Sequence, residues 1–167
     1  TVRFKDKKTT AIQEGMGRKM LSALLTGVNR AFPYAKYTME DFSTNMNDVF
    51  RVVHQSTFST SIQALMLLFQ VMNATNSVSD RFYNALYGKL LDPSVQETSK
   101  HTLLLNLLYK ALKADVSPTR SQAMIKRLLQ IAACMPPSFI CAVLFLVSEV
   151  VSVKPALRSI FEQPQDL

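Results

Sequence analysis

From Ser61 to Asn73 the chain reads SIQALMLLFQVMN, apolar on nearly every face of a helix. Three more segments share that character: KMLSALLTGV from Lys19, TLLLNLLYKAL from Thr102 and SFICAVLFLVSEVV from Ser138. The stretches between them carry apolar residues on one face only. A helix that is apolar all round must be covered by protein on most sides. Its alternation with half-polar partners predicts stacked helical hairpins, the arrangement of HEAT and armadillo-like solenoids.

Local signals set the expected boundaries. Residues 1–13, TVRFKDKKTTAIQ, show no apolar period and read as a basic extended arm. The first helix is expected from about Glu14 to Ala31, with Met16, Met20, Ala23, Leu24, Gly27 and Val28 marking its apolar face. Pro33 ends it, because proline lacks a donor and restricts Phe32. Thr38 with Asp41 resembles a capping box and opens a helix to about Gln55, with Phe42, Met46, Val49, Phe50 and Val53 as its apolar positions. Ser59 or Thr60 is placed to cap the third helix, where Ile62, Leu65, Met66 and Phe69 fall at helical spacing. After the turn NATNSVS, Ser79 or Asp80 starts a fourth helix that Asp92-Pro93 stops near Leu91. The fifth spans roughly Ser99 to Ala114. Ser117 followed by Pro118 is a cap with proline in the first turn, opening a sixth helix to about Cys134. Pro136-Pro137 begins the seventh, and Lys154-Pro155 divides it from a short eighth.

The odd-numbered helices start at intervals of about 39 to 46 residues, close to the HEAT and armadillo period of roughly 40–47. No strand-like alternation of useful length occurs. The expected fold is therefore all-α, a HEAT/armadillo-like helical-repeat solenoid of about four helical hairpins over residues 14–161, with 162–167 as a tail. An orthogonal helical bundle is the other arrangement this pattern allows, since side-chain repetition between units is weak.

Composition agrees with an α protein: 48% of the 167 residues are hydrophobic, Trp is absent and Gly numbers only 4. The apolar run Phe139 to Val147 is too short for a membrane span, which needs about twenty residues, so a buried helix is expected there. Two cysteines cannot make a disulfide framework and no signal peptide opens the chain, which suggests a reducing, intracellular setting. Thr1 stands where a complete chain would begin with Met, so a slice of a longer protein is expected.

Catalytic and metal constellations are missing from the sequence. His54 and His101 fall on different helices and outside any His-Glu-x-x-His or Cys-x-x-Cys pattern. Cys134 and Cys141 flank a Met-Pro-Pro turn and read as buried small residues, since a structural zinc site needs four ligands. Gly15, Gly17, Gly27 and Gly88 never form a phosphate-cradling turn. Glu40 and Asp41 belong to a first helical turn, where the helix dipole accounts for them. No enzyme, metal or cofactor is expected.

Charge changes the picture more. The net +7 points to an acidic partner, nucleic acid being the commonest. Eight basic and two acidic residues occur through Lys36, including Lys5, Lys7, Lys8, Arg18, Lys19 and Arg30. A second group comprises Lys110, Lys113, Arg120, Lys126 and Arg127. These eleven are the candidate RNA contacts, binding phosphates without reading sequence. A solvated basic face is the plain alternative. No recognition-helix or base-stacking motif accompanies them.

The runs RKMLSALLTGVNRAFPYA, FSTSIQALMLLFQVMN, DRFYNALYGKLLDP, LLLNLLYKALKADV, IKRLLQ and MPPSFICAVLFLVSEV, closing with KPALR, resemble the CCAAT-binding-factor domain family of nucleolar complex proteins. The resemblance covers roughly Arg18 to Arg158. Ser59 stands where the family pattern more often has Asn, and Lys36 to Asn47 match less well. The resemblance implies a nucleolar helical-repeat protein acting early in large (60S) subunit assembly. It implies as partners the second nucleolar complex protein, in a heterodimer, together with pre-ribosomal RNA and pre-60S assembly factors. It implies no catalytic residues. The family name also carries an alternative, a transcription factor at CCAAT promoter elements, which would need side chains placed in a major groove.

Overall fold

Apolar periodicity becomes an all-α architecture, with no strand among the described residues. The computed structural model describes the backbone of residues 2–34, 39–74 and 78–162, and side chains within 15–34, 45–74 and 78–162. The chain divides into two compact units, residues 1–75 and 76–167, the boundary falling within the sequence NATNSVS.

The first unit holds α1 (Val2–Ala31), a 3-10 turn (Phe32–Tyr34), α2 (Met39–Gln55) and α3 (Phe58–Ala74). The greasy helix α3 packs against both α1 and α2. Its Ile62, Leu65 and Leu68 are fully enclosed, each burial worth about 1.5–3 kcal/mol. From α2, Phe50 and Val53 enter the same core. Ser61 fastens the two helices, its Oγ donating to the Val53 carbonyl at 2.7 Å. The helix starts at Phe58, so Thr57 rather than Ser59 or Thr60 precedes it, and Thr57 Oγ1 lies 3.0 Å from Thr60 Oγ1. The expected Thr38–Asp41 box lies outside the described residues.

Two expectations for α1 are corrected. The segment read as an extended arm is helical from Val2. Lack of an apolar period does not make a segment unhelical. Arg3, Lys5, Lys7, Lys8, Ala11 and Gln13 are good helix formers, and no proline intervenes before Pro33. The second correction concerns the face. Met16, Met20, Ala23, Leu24 and Gly27 are exposed, while Leu25 is buried and Leu21 and Val28 are half-buried. Polar bonds to α3 orient the helix. Ser22 Oγ donates to Gln63 Oε1 at 3.0 Å, Gln63 Nε2 donates to Thr26 Oγ1 at 3.1 Å, and Asn29 Nδ2 donates to the Gln63 carbonyl at 2.9 Å.

The second unit comprises α4 (Asp80–Leu90), α5 (Ser94–Glu97), α6 (His101–Ala114), α7 (Pro118–Ala132), α8 (Pro137–Val153) and a 3-10 helix (Pro155–Ile160). Here α6 packs on α8 and α4 on α7, while α7 and α8 are neighbours. Leu104, Leu108, Ile125, Val143 and Leu86 form the enclosed core. Ser117 caps α7 as expected, accepting from the Arg120 N–H at 3.5 Å. The one-turn helix α5 is additional to the expected elements; Asp92 starts it by accepting the Ser94 N–H at 3.0 Å. Helix α8 is less covered than its sequence suggests, with Leu144 54% and Phe145 68% exposed.

Candidate nucleic-acid interface

A phosphate contact needs a cation on a long stem, held at the surface and not already paired. On α1, Arg18, Lys19 and Arg30 are exposed. Lys19 and Arg30 stand eleven residues apart, close to three full turns, so they lie on one line of the helix. Lys5, Lys7 and Lys8 belong to the same helix, but their side chains fall outside those described. In the second unit, Lys110 and Lys113 are exposed near the end of α6 and Lys126 on α7. Lys113 Nζ lies 5.8 Å from the centre of the Tyr109 ring, within cation–π reach. Arg127 is half-buried, with Nη1 donating to Gln130 Oε1 at 3.2 Å. The candidates thus form two sets on different units.

Arg120 leaves the candidate set. Its Nε donates to Asp115 Oδ2 at 3.0 Å, and its Nη2 and Nη1 pair with Asp115 and Asp80. The guanidinium also stacks on Tyr83, 3.9 Å from the ring centre. Counting charges along a sequence cannot show that the fold has already neutralised one of them.

Asp115 is the hub of this cluster. Its side chain is fully enclosed and also accepts from the Ser117 N–H at 2.9 Å and Ser121 Oγ at 3.1 Å. Burial pushes its carboxyl up, but Arg120, the Ser117 N–H and Ser121 outweigh burial and hold it below the usual carboxylate range. The bonds to Asp115, and then those to Asp80, raise Arg120 above its ordinary value against the pull of burial. Tyr83, whose hydroxyl donates to the Ala111 carbonyl at 3.2 Å, is pushed up to about 12 by burial and by the Asp115 charge. Lys154 closes the far side, donating to the Leu112 carbonyl at 2.6 Å and to the Asp115 carbonyl. Burial lowers its ammonium from the usual lysine value. The cluster ties α4, the α6–α7 turn, α7 and the end of α8 together. Its sequence trace was Asp115 two residues before the capping Ser117.

Between α6 and α8 runs an open groove of about 460 Å³, lined by Thr102, Leu105, Asn106, Tyr109, Ala142, Phe145, Leu146 and Glu149. It holds one carboxylate and no histidine or thiol. His101 is structural, its Nε2 2.9 Å from the Val95 carbonyl and its ring edge-on to Phe139. His54 is exposed at the end of α2. Cys134 and Cys141, expected to be buried, are both exposed. One lies in the turn after α7, the other on the uncovered side of α8. Among the described residues no cluster of His, Cys, Asp and Glu is built to hold a metal ion, and no helix is long and apolar enough to cross a membrane.

Comparison with known proteins gives this arrangement a context. Residues 61–167 match the CBF/Mak21 family. Human CCAAT/enhancer-binding protein zeta is 50% identical over 159 residues, covering 95% of this chain and 15% of that protein. Ribosome biogenesis protein NOC1 of Chaetomium thermophilum is 44% identical over 158 residues, again 95% and 15%. Nucleolar complex protein 1 of Drosophila melanogaster is 30% identical over 154 residues, 87% of this chain and 13% of the fly protein. The chain spans about one seventh of the length of these relatives.

Proposed function

The chain belongs to the CBF/Mak21 family, and from that premise we propose that it is a non-catalytic scaffold in assembly of the large ribosomal subunit in the nucleolus. The observation that carries this reading is the 44% identity, along 95% of the chain, to a protein named for ribosome biogenesis. The exposed cations fit the role. Arg18, Lys19 and Arg30 on one unit, with Lys110, Lys113 and Lys126 on the other, are suited to phosphate contact in pre-ribosomal RNA. The uncovered apolar sides of α1 and α8 are suited to proteins, the second nucleolar complex protein first among them as a heterodimer partner, with pre-60S factors alongside. The mechanism is positional: many weak contacts hold RNA and protein while the particle folds, on a helical-repeat solenoid. A CCAAT-reading transcription factor is the less favoured alternative, because no recognition-helix pattern accompanies these cations to place them in a major groove.

Charge reversal tests the proposal. In the full-length protein, Arg18→Glu, Lys19→Glu and Arg30→Glu together should reduce ultraviolet crosslinking to ribosomal RNA at least fivefold while leaving helicity intact. Unchanged crosslinking would remove RNA from the function of α1. A roughly thousandfold preference for a CCAAT duplex over a scrambled one at physiological salt would put the transcription reading first.

A further inference from the structure

We infer that the outward face of α1 seats an acidic amphipathic helix presented by a partner protein. The inference rests on the scaffold reading and gives one of its partners a chemistry. Met16, Met20 and Leu24 follow at four-residue steps and are 68%, 66% and 56% exposed. Beside them Ala23, Gly27 and Ala31 form a second exposed row at the same step. At about 100° per residue, the six positions occupy roughly 100° of the helix surface with no polar residue among them. A Cβ added at Gly27 would meet nothing within 4 Å. Glycine weakens a helix interior relative to alanine, and nothing among the described residues packs close enough to require it. A row of small residues lets another backbone approach closely, and the large row alongside supplies the ridge over which a second helix packs.

Charge selects the occupant. Lys19 and Arg30 border Ala23 along one edge of this face and are exposed. The helical register sets position 8 on the same line, another eleven residues back. No Asp or Glu occurs from Gly15 to Tyr34. The complement is a helix with an apolar stripe bordered by Asp and Glu. A second copy packed antiparallel would bring these basic edges against each other, and one packed parallel would leave them without an acidic complement. RNA drawn to the cations at the edge would still leave Met16, Met20 and Leu24 in water, so it does not by itself account for the apolar rows. A lipid surface rewards bulky apolar residues and gains little from an Ala-Gly-Ala row.

The test uses the full-length protein and a labelled peptide of about three heptads, with Leu and Ala on one stripe and Glu on both borders. Controls are the same peptide with Lys borders, phosphatidylserine vesicles and a ribosomal RNA oligonucleotide. The Glu peptide should bind, and Gly27→Leu should weaken it at least tenfold by filling the trough, with no change in RNA crosslinking. Leucine is the better helix former, so the fold is not at risk. A photo-crosslinker at position 20 in cells should join a separate polypeptide at an acid-bordered helix. Equal binding of the Glu and Lys peptides, a neutral Gly27→Leu, or crosslinks to RNA, lipid, a second copy or the same polypeptide would overturn the inference. Absent peptide binding with RNA crosslinking retained would sink it and leave the scaffold reading standing.

Discussion

Substituting Asp115 by alanine withdraws one enclosed carboxylate from the Ser117 N–H, Arg120 Nε, Arg120 Nη2 and Ser121 Oγ at once. Removing one partner of a buried charge pair costs about 3–5 kcal/mol, since the other charge stays behind unpaired. Arg120 keeps 27% of its side chain exposed and retains Asp80, which is 85% exposed, so its charge is only partly stranded. That places the loss near 3 kcal/mol. For a unit of this size the urea dependence is about 1 kcal/mol per molar, so the midpoint should fall by about 2–3 M. Tyrosine emission follows the transition, because Tyr83, Tyr87 and Tyr109 all belong to the second unit. Adding Arg120→Ala should cost less than the two single effects combined, by at least about 1 kcal/mol. A single-variant loss below about 1 kcal/mol, or strict additivity, would refute the cluster as the clamp of this unit. The pH dependence gives a further check. A carboxyl held below its unfolded value stabilises above roughly pH 4, and that contribution is lost as pH falls through the folded value. Asp115→Ala should therefore flatten the acid limb of the stability curve.

Three more expectations follow from the same geometry. Tyr83 has its folded value raised to about 12 from 10.0, so the stability it gives is complete below pH 10 and is lost as pH climbs through the folded value; Tyr83→Phe should remove about 1.5–2 kcal/mol of that alkaline loss in denaturation series from pH 9.5 to 11.5. Ser61→Ala removes the 2.7 Å bond to the Val53 carbonyl and should destabilise the first unit by about 1–2 kcal/mol, read as faster amide exchange at the α2–α3 junction. Reversing Arg18, Lys19 and Arg30 should lower the slope of log affinity for single-stranded RNA against log salt by roughly 0.7 for each phosphate no longer neutralised, whereas an unchanged slope would mark these residues as merely solvated.

Helix placement was legible because its signals are local. The Ser117-Pro118 start, the Asp92-Pro93 stop and the Lys154-Pro155 break all act within one turn of themselves. What lay hidden depended on neighbours distant in sequence. The apolar face of α1 turned outward because Gln63 of α3 presents polar groups that Ser22, Thr26 and Asn29 satisfy. No helical wheel of α1 alone contains Gln63. Arg120 read as a free cation because Asp80, forty residues away, and the buried Asp115 meet it only after folding. Cys141 read as buried because it sits in an apolar run, yet that run is covered on one side only. The candidate surface was legible as composition, while its division between two units was not.

The most direct test of the scaffold account is gradient sedimentation of the tagged full-length protein, with and without prior ribonuclease treatment. The account predicts migration with large-subunit precursors carrying unprocessed ribosomal RNA, collapsing to a small protein complex once the RNA is cut. Migration as a light species in both samples, with no precursor RNA in the fractions, would contradict it.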